Sequence, residues 1–146
     1  MTSPGANVFA WEALLRARDL TLTPQRRAIL RYLDGNQTHP TAADVFAAVT
    51  HDFPMASRAT VYNTLSLLVE LGAVRALPCV PGGDTRFDPN AGHHHHVVCP
   101  RCGAIADLDA AHVHVAVEGG LAAQLRGLVA HVRFEQTCEP CTADGK

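Results

Sequence analysis

The chain has 146 residues and 47% hydrophobic content, which allows one ordinary domain or two small ones with real cores. No apolar run approaches the roughly 20 residues needed to cross a membrane. The first residues lack the pattern of a secretory signal, so we expect a cytoplasmic protein with no membrane partner. The formal net charge of −2 lacks the basic bias usual in nucleic-acid-binding proteins, so any affinity for DNA must come from local arginines.

The first 88 residues are predicted to be mainly helical. Val8, Trp11 and Leu15 repeat at helical spacing, which predicts a first helix up to about Arg18. Three further helices are expected to begin after side chains that cap helix N-termini. These capping residues are Thr23, Thr41 and Ser57, and the predicted buried-face residues are Ile29, Leu33, Val45, Phe46, Val49, Val61, Leu65 and Leu68. The second and fourth helices are expected to end at Gly35 and Gly72.

Two short strands, 74–79 and 85–87, are predicted after the fourth helix, around the turn 81–84. Three helices followed by a hairpin predict a winged helix-turn-helix domain over residues 1–88, with an extra helix in front. Residues 89–92 (Pro-Asn-Ala-Gly) are predicted to be a hinge.

The remaining segment, 93–146, has a different composition, with four of the five cysteines and seven of the nine histidines. Strands are predicted over 94–99 and 104–108, and a helix somewhere between 110 and 126. A last strand is expected where Leu128, Ala130, Val132 and Phe134 recur at every second position. The predicted fold class is therefore α+β.

Two CxxC pairs carry the strongest chemical signal. Cys99 and Cys102 form the first pair, and Cys138 and Cys141 form the second. Four thiolates in two such pairs predict a closed tetrahedral zinc site that leaves no position for water and is therefore structural. The alternative is a set of free thiols. Cys79 lies outside both pairs and is interpreted as a half-buried wing residue rather than a redox group.

The second helix of a helix-turn-helix inserts its first residues into the major groove. Here that helix begins after Ser57, so the candidates for base contacts are Arg58, Tyr62, Asn63 and Thr64. The candidates for phosphate contacts are Arg26, Arg27, Arg75 and Arg86. The alternative is that these arginines only solvate the surface.

These motifs together resemble the ferric-uptake-regulator (Fur) family of metal-dependent bacterial transcription factors, and its peroxide-sensing PerR branch most. The resemblance covers nearly the whole chain. The segments that carry it are 22–26 (LTPQR), 39–42 (HPTA), 59–65 (ATVYNTL), 86–88 (RFD), 93–102 (HHHHVVCPRC) and 138–141 (CEPC). The resemblance implies a homodimer in which the winged helix reads a palindromic operator in double-stranded DNA and the C-terminal α/β domain, 93–146, dimerises.

A second metal site is implied by the same resemblance. His94 and His96 are two residues apart on a predicted strand and share a face, and Asp107 is on the neighbouring strand. The resemblance adds His39 and Asp88 as ligands. Three imidazoles and two carboxylates suit Fe²⁺ or Mn²⁺, although zinc would also bind. A metal shared between the two domains would favour one hinge angle and thereby control DNA binding.

The function is accordingly expected to be a metal-dependent repressor, not an enzyme, with metal ions as its only small ligands. Asp107 favours the peroxide-sensing branch, because uptake regulators more often carry Glu there, and the oxidised ligand would be His39 or His94. The alternatives are an iron or manganese uptake regulator that senses occupancy alone, a zinc uptake regulator, a metal-dependent hydrolase and a metal-storage protein. His93, His95 and His131 are candidates for a further metal site.

Overall fold

The chain divides into two compact units, Met1–Ala91 and Gly92–Lys146. The structure is a computed structural model, and it describes residues 6–78, 83–120, 124 and 127–143. The boundary between the units falls inside the predicted hinge segment, whose role as a hinge remains a prediction. Cys79 and part of the predicted turn 81–84 lie outside the described residues.

Unit 1 contains four helices and a two-stranded wing. Its elements are α1 (Ala6–Arg16), α2 (Pro24–Leu33), α3 (Ala42–Asp52), α4 (Arg58–Glu70), β1 (Arg75–Leu77) and β2 (Arg86–Asp88). The two strands are antiparallel, with Arg75 opposite Asp88. The predicted order of helices and hairpin is confirmed. Strand β1 starts one residue later than predicted because the Val74 N–H donates to the carbonyl of Leu68 in α4 and not to the wing.

Helices α2, α3 and α4 begin where the sequence places capping side chains. The side chains of Thr23 and Ser57 accept hydrogen bonds from backbone N–H groups in the first turns of α2 and α4. At α3 the cap is reciprocal, because Thr41 Oγ1 accepts from Asp44 N while the Asp44 carboxylate accepts from Thr41 N. The Thr41 N–H and hydroxyl also hold the pKa of Asp44 below its ordinary value.

Helices α1, α2, α3 and α4 and the wing share one apolar core. Its buried side chains include Trp11, Leu15, Ile29, Leu30, Leu33, Val45, Val49, Val61, Leu65, Leu68, Val74 and Phe87. Apart from Phe46, which is half-buried, the residues predicted to line the buried faces of α2, α3 and α4 are in this core. The core fixes α4 against α2 and α3, which gives the first turn of α4 a rigid base.

Replacing Thr41 with alanine should lower the free energy of unfolding of the protein by about 1 kcal/mol, because it removes both the hydroxyl acceptor and a donor to Asp44. Urea denaturation monitored by circular dichroism measures this loss. Thr50→Ala is the matched control, because Thr50 lies inside α3 and its hydroxyl donates to the helix's own carbonyls. Equal stability of the two variants would contradict the role of the cap.

Unit 2 is built on a three-stranded sheet in the order β4-β3-β5. Its elements are β3 (His94–Val98), β4 (Ile105–Asp109), a 3₁₀ helix (Ala110–His112), β5 (Arg133–Glu135) and α5 (Glu139–Ala143). Strand β3 pairs antiparallel with β4 and parallel with β5. The first two strands and the α+β class are confirmed.

Two predictions for unit 2 differ from the structure. Among the described residues from 110 to 120, only the 3₁₀ turn is helical, and the segment ends at Gly119 and Gly120, which disfavour a helix. The last strand is shorter than predicted because the Val132 N–H donates to Nδ1 of His95 and not to the backbone of β3. Within the described residues, no helix is long and apolar enough to span a bilayer.

Candidate metal centres and nucleic-acid surface

The four cysteines of the CxxC pairs come together in unit 2. One sulfur atom from each lies within 4.8 Å of the other three. The Sγ atoms of Cys102 and Cys138 are 3.6 Å apart. A tetrahedral zinc with bonds of about 2.3 Å holds its sulfur ligands about 3.8 Å apart, so the four thiols fit zinc with little movement.

The backbone around these thiols prepares them for a cation. The N–H groups of Cys138 and Cys102 donate toward Cys99, and they lower the pKa of its thiol to about 6. Hydrogen bonds with the side chains of Cys138 and Cys102 raise the pKa of Cys141 to about 12. Because zinc binds thiolates, the raised pKa of Cys141 couples zinc binding to proton release.

A second group of ligand atoms lies on the neighbouring strands β3 and β4. His96 faces Asp107 across the ladder, and His94 is on the same side of β3. The Nε2 atoms of His94 and His96 are 3.0 Å apart. Asp107 Oδ1 lies 3.4 Å from His94 Nε2 and 3.6 Å from His96 Nε2. Two ligands at right angles with bonds of about 2.1 Å are about 3.0 Å apart. Unit 2 alone therefore supplies two imidazoles and one carboxylate in a facial arrangement, which suits Fe²⁺.

The ring of His94 is oriented by its own chain. Its Nδ1 lies 2.8 Å from the carbonyl oxygen of Gly92, to which it can only donate. This hydrogen bond places the proton on Nδ1 and leaves the lone pair of Nε2 directed at His96 and Asp107. His94 is thus held in the tautomer that a metal ligand requires.

Unit 1 contains the other two predicted ligands, His39 and Asp88. His39 lies in the loop before α3, and its Nε2 is 4.0 Å from Oδ1 of Asp88 at the end of β2. The loop is fixed to β2 because Arg86 Nη1 donates to His39 O at 3.1 Å and Phe87 N donates to Pro40 O at 2.9 Å. His39 has a φ of +50°, an uncommon conformation for a residue with a side chain and one that occurs at functional sites.

The first turn of α4 presents the residues predicted to read bases. Arg58 is exposed, and its guanidinium stacks on the ring of Phe46, 4.6 Å from the centroid. Tyr62 is 51% exposed and Asn63 is exposed as well. The prediction for Thr64 is wrong, because Thr64 is fully buried and its hydroxyl donates to the carbonyl of Thr60.

The four predicted phosphate-binding arginines each have a partner within unit 1. Arg26 Nη1 donates to Thr21 O at 2.6 Å, and Arg27 Nε pairs with Glu12 at 3.1 Å. Arg75 and Arg86 are half-buried on the wing and contact Asp88 and the carbonyl of His39. Their phosphate contacts remain predictions.

A sequence profile described as the "Ferric uptake regulator family" matches residues 17–128 of the chain. The chain belongs to this family. The match includes both halves of the predicted regulatory site and the first CxxC pair.

Relatives within the family include peroxide sensors. The "Peroxide-responsive repressor PerR" of Staphylococcus aureus is 44% identical over 96 residues, which cover 66% of this chain and 64% of that protein. This chain thus spans just under two thirds of that relative's length. A Campylobacter jejuni peroxide stress regulator matches with a TM-score of 0.62 and 27% identity, over 89% of this chain and 98% of that one. The Helicobacter pylori ferric uptake regulator matches with a TM-score of 0.76 and 16% identity, over 97% and 95%, and supports the fold alone.

Some contacts of the predicted site residues escape reasoning from sequence. Phe46 supports Arg58 from a different helix, and Gly92 orients His94 through a backbone carbonyl, which no side-chain pattern reveals. On the other face of β3, the ring of His93 meets the rings of His95 and His131 edge-on, with centroids 5.2 and 5.6 Å apart. The structure brings these three candidates together, and burial lowers the pKa of His95.

Proposed function

We propose that this chain is a metal-dependent transcriptional repressor of the cytoplasm that responds to peroxide. The observation that carries the proposal is the preorganised set of His94, His96 and Asp107, in which Nε2 of His94 is held as a ligand by the carbonyl of Gly92. Its nitrogen and oxygen donors suit Fe²⁺ or Mn²⁺, and the four-cysteine site suits structural zinc.

His39 and Asp88 would complete the coordination of the same ion. Fe²⁺ and Mn²⁺ can take up to six ligands, so the three ligands of unit 2 leave positions that His39 and Asp88 would fill. Only five residues separate Asp88 from His94 in the sequence. A shared ion would therefore restrain the predicted hinge 89–92, and its binding free energy would be available to select one arrangement of the DNA-binding units.

The peroxide response would consist of the oxidation of a ligand histidine. Bound Fe²⁺ supplies the redox chemistry that activates peroxide beside the imidazoles. One peroxide oxygen would insert into a ring C–H bond of His39 or His94, the hydrogen would then move to a ring nitrogen to leave a ring carbonyl, and the other oxygen would leave as water. The residue thus gains one oxygen atom and loses two electrons to peroxide. An oxidised ring is a poorer ligand, so the ion and the DNA-binding arrangement would be lost together.

DNA recognition would use a homodimer whose two α4 helices enter successive major grooves of a palindromic operator. Arg58 and Tyr62 are exposed in the first turns of α4, and the stack on Phe46 fixes the direction of the Arg58 guanidinium. Arginine is the residue that most often reads guanine. The local arginines, and not the net charge of −2, would supply the affinity.

Replacing Arg58 with alanine should weaken metal-dependent binding to the operator by at least about 30-fold, since the homodimer loses two bidentate base contacts worth about 1–3 kcal/mol each. The duplex is first selected from a random library with Mn²⁺-loaded protein, and binding is then followed by fluorescence anisotropy. Arg18→Ala is the matched control, because it removes the same charge and Arg18 pairs with Glu70 at the far end of α4. An unchanged affinity in Arg58→Ala would show that α4 does not read the operator.

An iron or manganese uptake regulator that senses occupancy alone is the second candidate, because the same donor set binds Mn²⁺ without redox chemistry. The two candidates differ in one respect: only the peroxide sensor gains oxygen on a ligand histidine. A hydrolase or a metal-storage protein would bind metal but would show no metal-dependent, salt-sensitive binding to a selected duplex.

A further inference from the structure

Arg75 of the wing lies beside the carboxylate of Asp88, which is one of the two predicted metal ligands in unit 1. The two residues face each other across the β1–β2 ladder, and Arg75 Nη1 lies 3.8 Å from Asp88 Oδ2. The Asp88 side chain is 1% exposed and that of Arg75 is 35% exposed, although the Nη1 atom that faces Asp88 is itself buried. A buried carboxylate is costly unless a positive group balances it, and here Arg75 supplies that charge.

The two oxygens of Asp88 have different neighbours. Oδ1 accepts from the Asn90 N–H at 2.8 Å and lies on the side of His39, at 4.0 Å from Nε2. Oδ2 is on the side of Arg75. A metal ion held by His39 and Asp88 would therefore be separated from the guanidinium by one carboxylate group, at a distance where two positive charges repel strongly in a buried site.

We propose that Arg75 is exchanged between Asp88 and the DNA backbone when the regulatory metal binds. This inference rests on the proposed regulatory site. In the metal-free protein the guanidinium balances Asp88. A divalent cation on Asp88 takes over that role, and the guanidinium of this half-exposed wing residue turns to a phosphate. Arg75 thus lowers the metal affinity of the free protein and raises the DNA affinity of the metal-bound protein.

The exchange explains why an arginine suited to a phosphate contact lies against a buried carboxylate. The exchange also links metal binding directly to DNA binding within unit 1. The metal replaces Arg75 as the partner of Asp88, and the phosphate replaces Asp88 as the partner of Arg75. Metal binding and DNA binding would then strengthen each other through one side chain.

The test uses the zinc-loaded full-length protein with Arg75→Gln, which removes the charge, and Arg75→Lys, which keeps it. Mn²⁺ affinity is measured by isothermal titration without DNA. Arg75→Gln should bind Mn²⁺ on the order of tenfold more tightly, within the range typical of coupled sites. Arg75→Lys should remain close to the wild type. Arg18→Gln controls for the loss of one charge elsewhere in unit 1.

The second measurement is the salt dependence of operator binding by the Mn²⁺-loaded proteins. A homodimer carries Arg75 twice, so the loss of one phosphate contact per protomer should reduce the slope of log K against log salt by about 1.8 in Arg75→Gln, and Arg75→Lys should restore it. A purely structural role would weaken both metal and DNA binding, whereas exchange strengthens the first and weakens the second. Mn²⁺ affinity of Arg75→Gln equal to or below that of the wild type, or an unchanged slope, would overturn the inference.

Failure of the inference can be distinguished from failure of the proposed function. If the wild type binds no Mn²⁺ beyond its structural zinc, the proposed regulatory site itself is wrong. If the wild type binds Mn²⁺ and Arg75→Gln binds it no more tightly, only the role of Arg75 is wrong. Zinc content and circular dichroism establish that each variant is folded before it is scored, and the lysine variant provides the comparison if the glutamine variant unfolds.

Discussion

Replacing Cys102 with serine should abolish zinc binding and unfold most of unit 2. Little of the described part of this unit is buried within one protomer: its buried apolar residues are Val98 and Cys99, and strand β5 is exposed along its whole length. Structural zinc contributes an apparent 10–16 kcal/mol in small zinc-folded domains, about as much as the whole stability of a typical domain. Because the zinc ligands come from both ends of unit 2, their loss releases the C-terminal segment from β3.

Elemental mass spectrometry measures the loss of zinc, and the strand signal in circular dichroism measures the unfolding of unit 2. Cys79→Ser is the matched control, because Cys79 lies outside both CxxC pairs and should leave the zinc content at one per chain. Full zinc content and an unchanged strand signal in Cys102→Ser would mean that the four thiols do not form a closed metal site.

Replacing His96 with alanine should remove the regulatory metal while leaving the zinc in place. His96 Nε2 lies 3.0 Å from that of His94 and 3.6 Å from Asp107 Oδ1, so its loss opens the facial set of ligands. Changes to groups that only orient metal ligands cost 10-fold to 100-fold in affinity. The loss of a ligand should therefore weaken Mn²⁺ binding by more than about 100-fold, and operator binding at micromolar Mn²⁺ should disappear with it.

Isothermal titration with Mn²⁺ and anisotropy with the selected duplex measure the two losses. His112→Ala is the matched control, because His112 is an exposed histidine of the same unit in the 3₁₀ helix. If His96→Ala bound the operator as tightly as the control at low Mn²⁺, metal at this site would not regulate DNA binding.

The helical part of the fold could be predicted from sequence because its determinants are local. Capping residues and apolar periodicity act within a few residues, and α2, α3 and α4 begin directly after Thr23, Thr41 and Ser57, as expected. The same apolar periodicity also indicates that Thr64 is buried, which the prediction of a base contact for this residue overlooked. This residue lies three positions after Val61 and four before Leu68, and both are buried, so it falls on the same face of α4.

The pattern of unit 2 was harder to predict because its determinants are long-range. Strand β5 is shortened by a hydrogen bond from Val132 to the side chain of His95, 37 residues earlier in the chain. The pairing of Arg75 with Asp88 likewise depends on the register of the wing, which a hairpin pattern in the sequence does not specify. Residue type identified the zinc ligands, whereas His39 and Asp88 were predicted only through resemblance to the family.

Peptide-resolved mass spectrometry tests the peroxide-sensing proposal most directly, and it requires no known operator. The zinc-loaded protein is supplied with Fe²⁺, exposed briefly to peroxide and digested, with a Mn²⁺-loaded sample treated in parallel. The account predicts one added oxygen on the peptide containing His39 or His94, in the iron sample only. Unmodified peptides in both samples would contradict it and leave a regulator that senses metal occupancy alone.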